Sequence, residues 1–281
     1  VRRRVPCRQG TCDGYRRPVA SAVIPEVVAT VVQTWLDAHD EVAPGTIEGL
    51  YLVGSIALGD WTPHSDIDVV AVVADPSDPD LVDDLAAAHV LVQERLEIAV
   101  DGPYVAWGVL VVPPMALHRP WVVEGGYHVD GESFEINPVT WYTLATYGIA
   151  VRGDDPATIG VFVDEADLRT FVRENLGTYW RGVGERLGAA IEAGHSSETA
   201  DGAVLEWVAL GVARMLYTWE TGAVASKSAA GVWAAHRAPD FADMLLAAVA
   251  LRADPGLATR SQLLDAVSFT ELVVAEVCET R

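Results

Sequence analysis

Two apolar runs, GTIEGLYLV and DIDVVAVVAD, bracket the segment GSIALGDWTPHS, and they limit the fold more than any other feature of the chain. The first run stops abruptly at Gly54 and Ser55, as a buried strand feeding a turn does. The second is a buried strand with aspartates at its entrance. Pro25 opens an amphipathic helix, VIPEVVATVVQTWLDAH, ahead of the pair. Behind it, the turn-rich DPSDPD leads to a helix over 80–97, then to a third strand, PYVAWGVLVVPP, halted by its prolines. Residues 113–138 read as irregular. From 139 onward the pattern is helical apart from a short strand at IAVRG, with helices expected near 164–176, 178–193, 201–220, 227–237, 240–252 and 260–279. The chain therefore divides into an α/β domain over 21–155 and a helical domain over 156–281.

Composition narrows the class. With 281 residues, 51% hydrophobic and 21% charged, the chain can bury a sizeable core, which excludes disordered and collagen-like architectures. No apolar stretch reaches the ~20 residues of a membrane span. A net charge of −21 argues against nucleic acid and anionic membranes as partners, and suits a cationic partner or a site that holds anions through metal ions. The first twenty residues carry six arginines and one aspartate, a local +5, and read as a disordered tail. Three cysteines, Cys7, Cys12 and Cys278, make neither a zinc set nor a disulfide framework, so a reducing cytoplasm is expected.

The chemistry concentrates in GSIALGDWTPHSDIDVV. Residues two apart on a strand share a face, so Asp66 and Asp68 project together. Paired carboxylates repel unless a cation lies between them, and magnesium suits hard oxygen ligands while leaving positions for phosphate. Gly54 allows close backbone approach to a phosphate, and Ser55 can donate a hydrogen bond to it. Strand, small-residue turn and D-x-D strand together predict phosphoryl or nucleotidyl transfer. Lys227 stands out separately. In a chain with very few lysines it follows a break at Gly222 and a cap at Ser226, at a helix start where the dipole disfavours cations. A bound phosphate there would remove the conflict.

These residues resemble the nucleotidyltransferase superfamily, whose hallmark is G-S, about ten residues, then D-x-D. Residues 203–234, AVLEWVALGVARMLYTWETGAVASKSAAGVWA, are similar to the helical domain of aminoglycoside 3″/9 adenylyltransferases. The resemblance implies an α/β domain with a small mixed sheet and a C-terminal helical bundle, with ATP and Mg2+ in the cleft. It implies transfer of AMP to a hydroxyl of a cationic aminoglycoside by a cytoplasmic monomer. Carried over, Asp66 and Asp68 bind the metal, Gly54 and Ser55 hold phosphates, and Arg214 and Lys227 reach phosphates from the helical domain. Trp107, Trp121 and Trp141 are aromatic candidates for the acceptor, and Glu198, Asp201 and Glu206 acidic ones; the family's acidic substrate positions hold Ala200 and Val204 here. His64 lies in the turn before D-x-D.

The superfamily places a third carboxylate on the strand after D-x-D. The matching strand is read here as PYVAWGVLVV, which has none; Trp107 falls at that place. Glu97, Asp101, Glu132 and Glu135 are the nearby acids that could complete the site, with Asp101 in a DGP that reads as a turn. The gap motivates an alternative, a nucleotide-binding regulatory or non-catalytic protein.

Overall fold

The computed structural model describes residues 24–115, 119–193 and 199–279. The arginine-rich tail, Cys7, Cys12 and Glu198 lie outside them. Helix α1 (Glu26–Val42) begins directly after Pro25, whose fixed φ suits a helix start. Strand β1 (Gly49–Leu52) runs buried into the one-turn helix α2 (Gly54–Ala57), and β2 (Ile67–Val72) returns beside it. Helix α3 (Pro79–Arg95) is capped by Asp78, which accepts the Asp80 N–H at 3.0 Å. Then come β3 (Val100–Val105), the short α4 (Trp107–Leu110), the hairpin β4 (Trp121–Val123) and β5 (Gly126–His128), α5 (Pro138–Tyr147) and β6 (Ile149–Arg152).

These strands form one mixed sheet in the order β5-β4-β3-β2-β1-β6, with β2 and β3 parallel and the other neighbours antiparallel. Alternation sorts its faces. Ile67, Val69 and Ala71 pack under α1 and α3 with Trp35 and Leu85. Val70 and Val72 face the opposite layer of Ile136, Trp141 and Leu144.

The remaining chain is helical: α6 (Pro156–Ile159), α7 (Glu165–Asn175), a π-helical turn over Leu176–Trp180, and α8 (Arg181–Glu192). After β7 (Thr199–Asp201) follow α9 (Gly202–Thr221), α10 (Lys227–Arg237), α11 (Ala242–Ala253), β8 (Leu257–Thr259) and α12 (Arg260–Val274). Helix α9 is the axis of this half, burying Leu205, Ala209, Val212 and Leu216 among its neighbours. The two halves meet over an apolar seam of Val139, Leu168 and Val224, against which Leu58 packs.

Four expectations are corrected. The third strand is Val100–Val105, not PYVAWGVLVVPP; the chain turns into α4 at Trp107. DGP is therefore strand, not turn. Gly102 has φ +152°, and a Cβ there would lie 1.9 Å from the Val69 carbonyl oxygen, so the glycine serves close strand pairing. The stretch expected to be irregular contains the β4–β5 hairpin, and the helical half carries the small β7–β8 ladder. Short strands of this kind leave little periodicity to read.

Behind the sheet lies a buried polar relay. His39 Nδ1 is 2.8 Å from the Trp35 carbonyl, which can only accept, so Nδ1 carries the proton. Burial holds His39 and His89 neutral, with pKa values lowered to about 4 and about 3. His39 Nε2 then accepts from the Tyr104 hydroxyl at 2.9 Å, and His89 Nε2 donates to that hydroxyl at 2.6 Å.

Candidate active site

Asp66 ends the loop before β2, and Asp68 is the second residue of the strand. Their surroundings come from four directions. The first is β1: Val53 donates its N–H to the Asp68 carbonyl at 2.9 Å, which brings the α2 turn directly over the Asp68 side chain. Gly54 has φ +55°, and a Cβ on it would lie 1.7 Å from Asp68 Oδ2 and 2.7 Å from Asp68 Cβ. Only glycine permits this approach. The Ser55 backbone N–H reaches the Asp68 carboxylate, while Ser55 Oγ is buried with no hydrogen-bond partner among the described residues.

The second direction is β3. Asp101 lies in parallel register beside Asp68 and on the same sheet face. A carboxylate does stand on the strand after D-x-D, and the expected gap does not exist. The misplaced strand start had hidden it. Asp101 Oδ2 and Oδ1 accept the Glu124 and Gly125 N–H groups at 2.8 and 2.9 Å, so its side chain also caps the β4–β5 turn.

The third is the loop ahead of α5. Ile136 is buried with Val53 and Val70, which sets the preceding residue, Glu135, over the aspartates. Glu135 has its pKa raised to about 9, first by burial and then by Asp68, Asp101 and Asp66. Asp68 is raised to about 6, by burial and then by Asp66, with Arg214 opposing. Asp101 is raised by burial as well. Of the four acids weighed for completing the site, Asp101 and Glu135 are brought to it. Glu97 and Glu132 are exposed on their own loops.

The fourth is the helical domain. Arg214 on α9 faces Asp68 and Asp60; burial lowers its pKa, and its Nε has no hydrogen-bond partner among the described residues. Lys227, the single lysine of the chain, is the first residue of α10, and its Nζ donates to Glu206 Oε1 at 3.1 Å. Ser226 caps this helix by accepting the Ala229 N–H at 3.2 Å. The unfavourable position of a cation at a helix start is relieved by protein anions: Asp60 Oδ2 accepts the Ser228 N–H at 3.1 Å, and Glu206 pairs with the lysine.

Other candidates lie elsewhere. Trp107 sits at the far end of β3 from Asp101, donating from Nε1 to Glu48 Oε2 at 2.6 Å. Trp141 is fully buried. Trp121 follows β3 on the carboxylate face, opposite Pro103, in edge contact with the exposed Phe134. Asp201 caps α9, accepting the Ala203 N–H at 2.9 Å. His64 is exposed in its turn. Sequence reasoning missed Asp60 and Arg252, which join the two halves; Asp60 was legible only as a turn residue beside G-S, and Arg252 carried no local signal.

The residues fit a hard divalent cation. Raised carboxyl pKa values mark a cluster that a cation would relieve, and the unpartnered Ser55 hydroxyl and Arg214 Nε await polar atoms. Among the described residues no three His, Cys, Asp or Glu side chains already enclose a metal position. A cation on Asp66 and Asp68 would draw its other ligands from phosphate and water.

Residues 38–113 match the nucleotidyltransferase domain family, and residues 189–275 match the aminoglycoside adenylyltransferase C-terminal domain. No curated protein matches the chain. Among solved structures, the chain is similar to a spectinomycin adenyltransferase, AAD(9), from Enterococcus faecialis, crystallised with ATP and spectinomycin. The two are 15% identical with a TM-score of 0.61, over 87% of this chain and 98% of that one. At this identity the likeness speaks to the fold. Among the described residues no helix is long and apolar enough to cross a membrane.

Proposed function

Because the chain joins a nucleotidyltransferase domain to the C-terminal domain of aminoglycoside adenylyltransferases, we propose that it transfers AMP from ATP to a hydroxyl of a cationic aminoglycoside or aminocyclitol. The observation that carries this reading is the convergence of Asp66, Asp68, Asp101 and Glu135 beside Ser55 and Arg214. Asp66 and Asp68 would hold Mg2+, which when bound supplies charge neutralisation at the phosphates. Ser55 Oγ and the glycine-lined turn would receive phosphate oxygens. Arg214 and Lys227 would meet the β- and γ-phosphates from the helical side, with Lys227 leaving Glu206 to do so.

The acceptor hydroxyl oxygen forms a bond to the α-phosphorus as the bond to pyrophosphate breaks. The hydroxyl proton needs a nearby base. Asp101 spends both oxygens on backbone N–H groups, so Glu135 is the better acceptor. Burial first, and then the neighbouring aspartates, raise its proton affinity, which favours its taking the hydroxyl proton. The net charge of −21 favours a cationic acceptor. The presence of Asp101 and Glu135 beside D-x-D favours this reading over the non-catalytic alternative.

A transfer assay with labelled ATP and a panel of aminoglycosides tests the reading, with Asp66→Asn as control. Incorporation into one cationic acceptor, lost in Asp66→Asn with the fold intact, is expected. A wild type that binds no MgATP would refute it. As the only side-chain amine, Lys227 also gives a single reporter: its isotopically methylated signal should shift with ATP and stay put with AMP.

A further inference from the structure

Arg252 is a deeply buried charged side chain at the domain seam, 5% exposed near the C-terminal end of α11. Among the described residues its polar contacts are to two acidic residues, one from each half. Its Nη1 donates to Glu206 Oε1 at 2.7 Å, and its Nη2 donates to the Asp60 carbonyl at 2.7 Å. Its Nε lies 3.3 Å from Asp60 Oδ2, an ion-pair contact without hydrogen-bond geometry. Each partner is in turn bound to the proposed phosphate apparatus. The Asp60 N–H donates to the Ser55 carbonyl at 2.8 Å, closing the turn that begins at Gly54. The same Asp60 carboxylate accepts the Ser228 N–H at the start of α10. Glu206 Oε1 accepts from both Arg252 and Lys227.

We propose that Arg252 is a positioning residue for nucleotide binding: through Asp60 it fixes the Gly54 and Ser55 turn against the helical domain, and through Glu206 it aims Lys227. A buried guanidinium is costly unless its charge is paired, and here Nη1 and Nη2 are hydrogen-bonded to groups 46 and 192 residues away, with the Asp60 carboxylate beside Nε. The planar fork engages both at once, which a lysine's single ammonium does not reproduce. Arg214 is also buried, near enough that the two cations repel. Asp60, Asp68 and Glu206 hold them together, so the seam has a defined charge order rather than a freely sliding one. Removing Arg252 leaves Glu206 to Lys227 alone and frees the Asp60 carbonyl. The turn then loses its register with α10 although no phosphate contact is itself removed.

The inference rests on the reading of Gly54, Ser55 and Lys227 as nucleotide contacts, so its test has one arm without nucleotide. Hydrogen exchange is measured on the unliganded full chain for wild type, Arg252→Gln, Arg252→Lys and Asp60→Asn. In Arg252→Gln and Asp60→Asn, amides of 54–60 and of the first turn of α10 should exchange about tenfold faster or more, with β1, β2 and β3 unchanged. Arg252→Lys should fall between. Unchanged exchange in these segments, or a uniform rise over the chain, overturns the inference. Should Arg252→Gln not fold, Asp60→Asn carries the same comparison, since it leaves the Arg252–Glu206 pair in place. In the second arm the MgATP dissociation constant should rise about tenfold in Arg252→Gln and recover partly in Arg252→Lys. Equal affinity in wild type and Arg252→Gln also overturns the inference while leaving the proposed reaction standing. A wild type that takes no MgATP defeats the reaction, and exchange then decides Arg252 by itself.

Discussion

Replacing Gly54 by alanine should damage the site and the fold together, and the structure gives the size of the effect. The added Cβ would lie 1.7 Å from Asp68 Oδ2, 2.5 Å from its Cγ and 2.7 Å from its Cβ. Rotating the Asp68 carboxylate away relieves the first two contacts. It cannot relieve the third, because Asp68 Cβ is fixed to the β2 backbone. A left-handed backbone adds about 1–2 kcal/mol for any residue with a Cβ, and overpacking typically costs about 1–3 kcal/mol. The sum, about 2–5 kcal/mol, corresponds to a melting temperature lower by roughly 5–15 °C for a chain of this size. MgATP titration should show weaker binding as well, since any relaxation displaces Asp68. Melting followed by circular dichroism, beside calorimetric titration, checks both. In an Asp68→Ala background the same substitution should cost less by about 1 kcal/mol or more, because two of the three clashing atoms are gone. A Gly54→Ala protein that melts within about 1 °C of wild type and binds MgATP normally would refute the geometry, with 1 °C being a small fraction of the expected shift. So would an undiminished penalty in the Asp68→Ala background.

Glu135→Gln should stabilise the unliganded protein by about 1–3 kcal/mol at pH 7 while abolishing transfer, because folding no longer has to hold a proton on that carboxyl. With the folded pKa raised from 4.5 to about 9, the contribution of this carboxyl is fully present below pH 4.5 and is lost as pH rises toward 9. The advantage of the variant in chemical denaturation should therefore grow across that window; a constant difference would count against the assignment. The histidines work in the opposite direction: their folded pKa values, about 4 and about 3, lie below the ordinary 6.5, so their contribution is present above pH 6.5 and lost on acidification. Tyr104→Phe should cost about 1–3 kcal/mol by leaving the His39 acceptor and the His89 donor buried and unpaired, and a melting temperature equal to wild type would disprove the relay.

Much of this protein is written in short-range pattern. The apolar run ending at Gly54 and Ser55 and the alternation after Asp66 are local, and α1, α3 and the helices after residue 164 follow their own caps and periodicity. The D-x-D pair could be read because a strand alone dictates that residues two apart share a face. Asp101 could not be assigned in this way. Asp-Gly-Pro carries turn chemistry, and it becomes strand because Gly102 can lie against the Val69 backbone and because the Asp101 carboxylate finds two N–H groups in a hairpin over twenty residues later. Glu135 reaches the aspartates because Ile136 is buried beside Val53 and Val70, an outcome of packing that no spacing announces. The joining of the halves is further still from the sequence. Asp60, Glu206, Lys227 and Arg252 have ordinary neighbours along the chain, and their meaning comes from burying opposite charges together at the seam. Local conformation follows from each residue and its near neighbours, whereas the pairing of buried charges depends on which distant segments exclude water together.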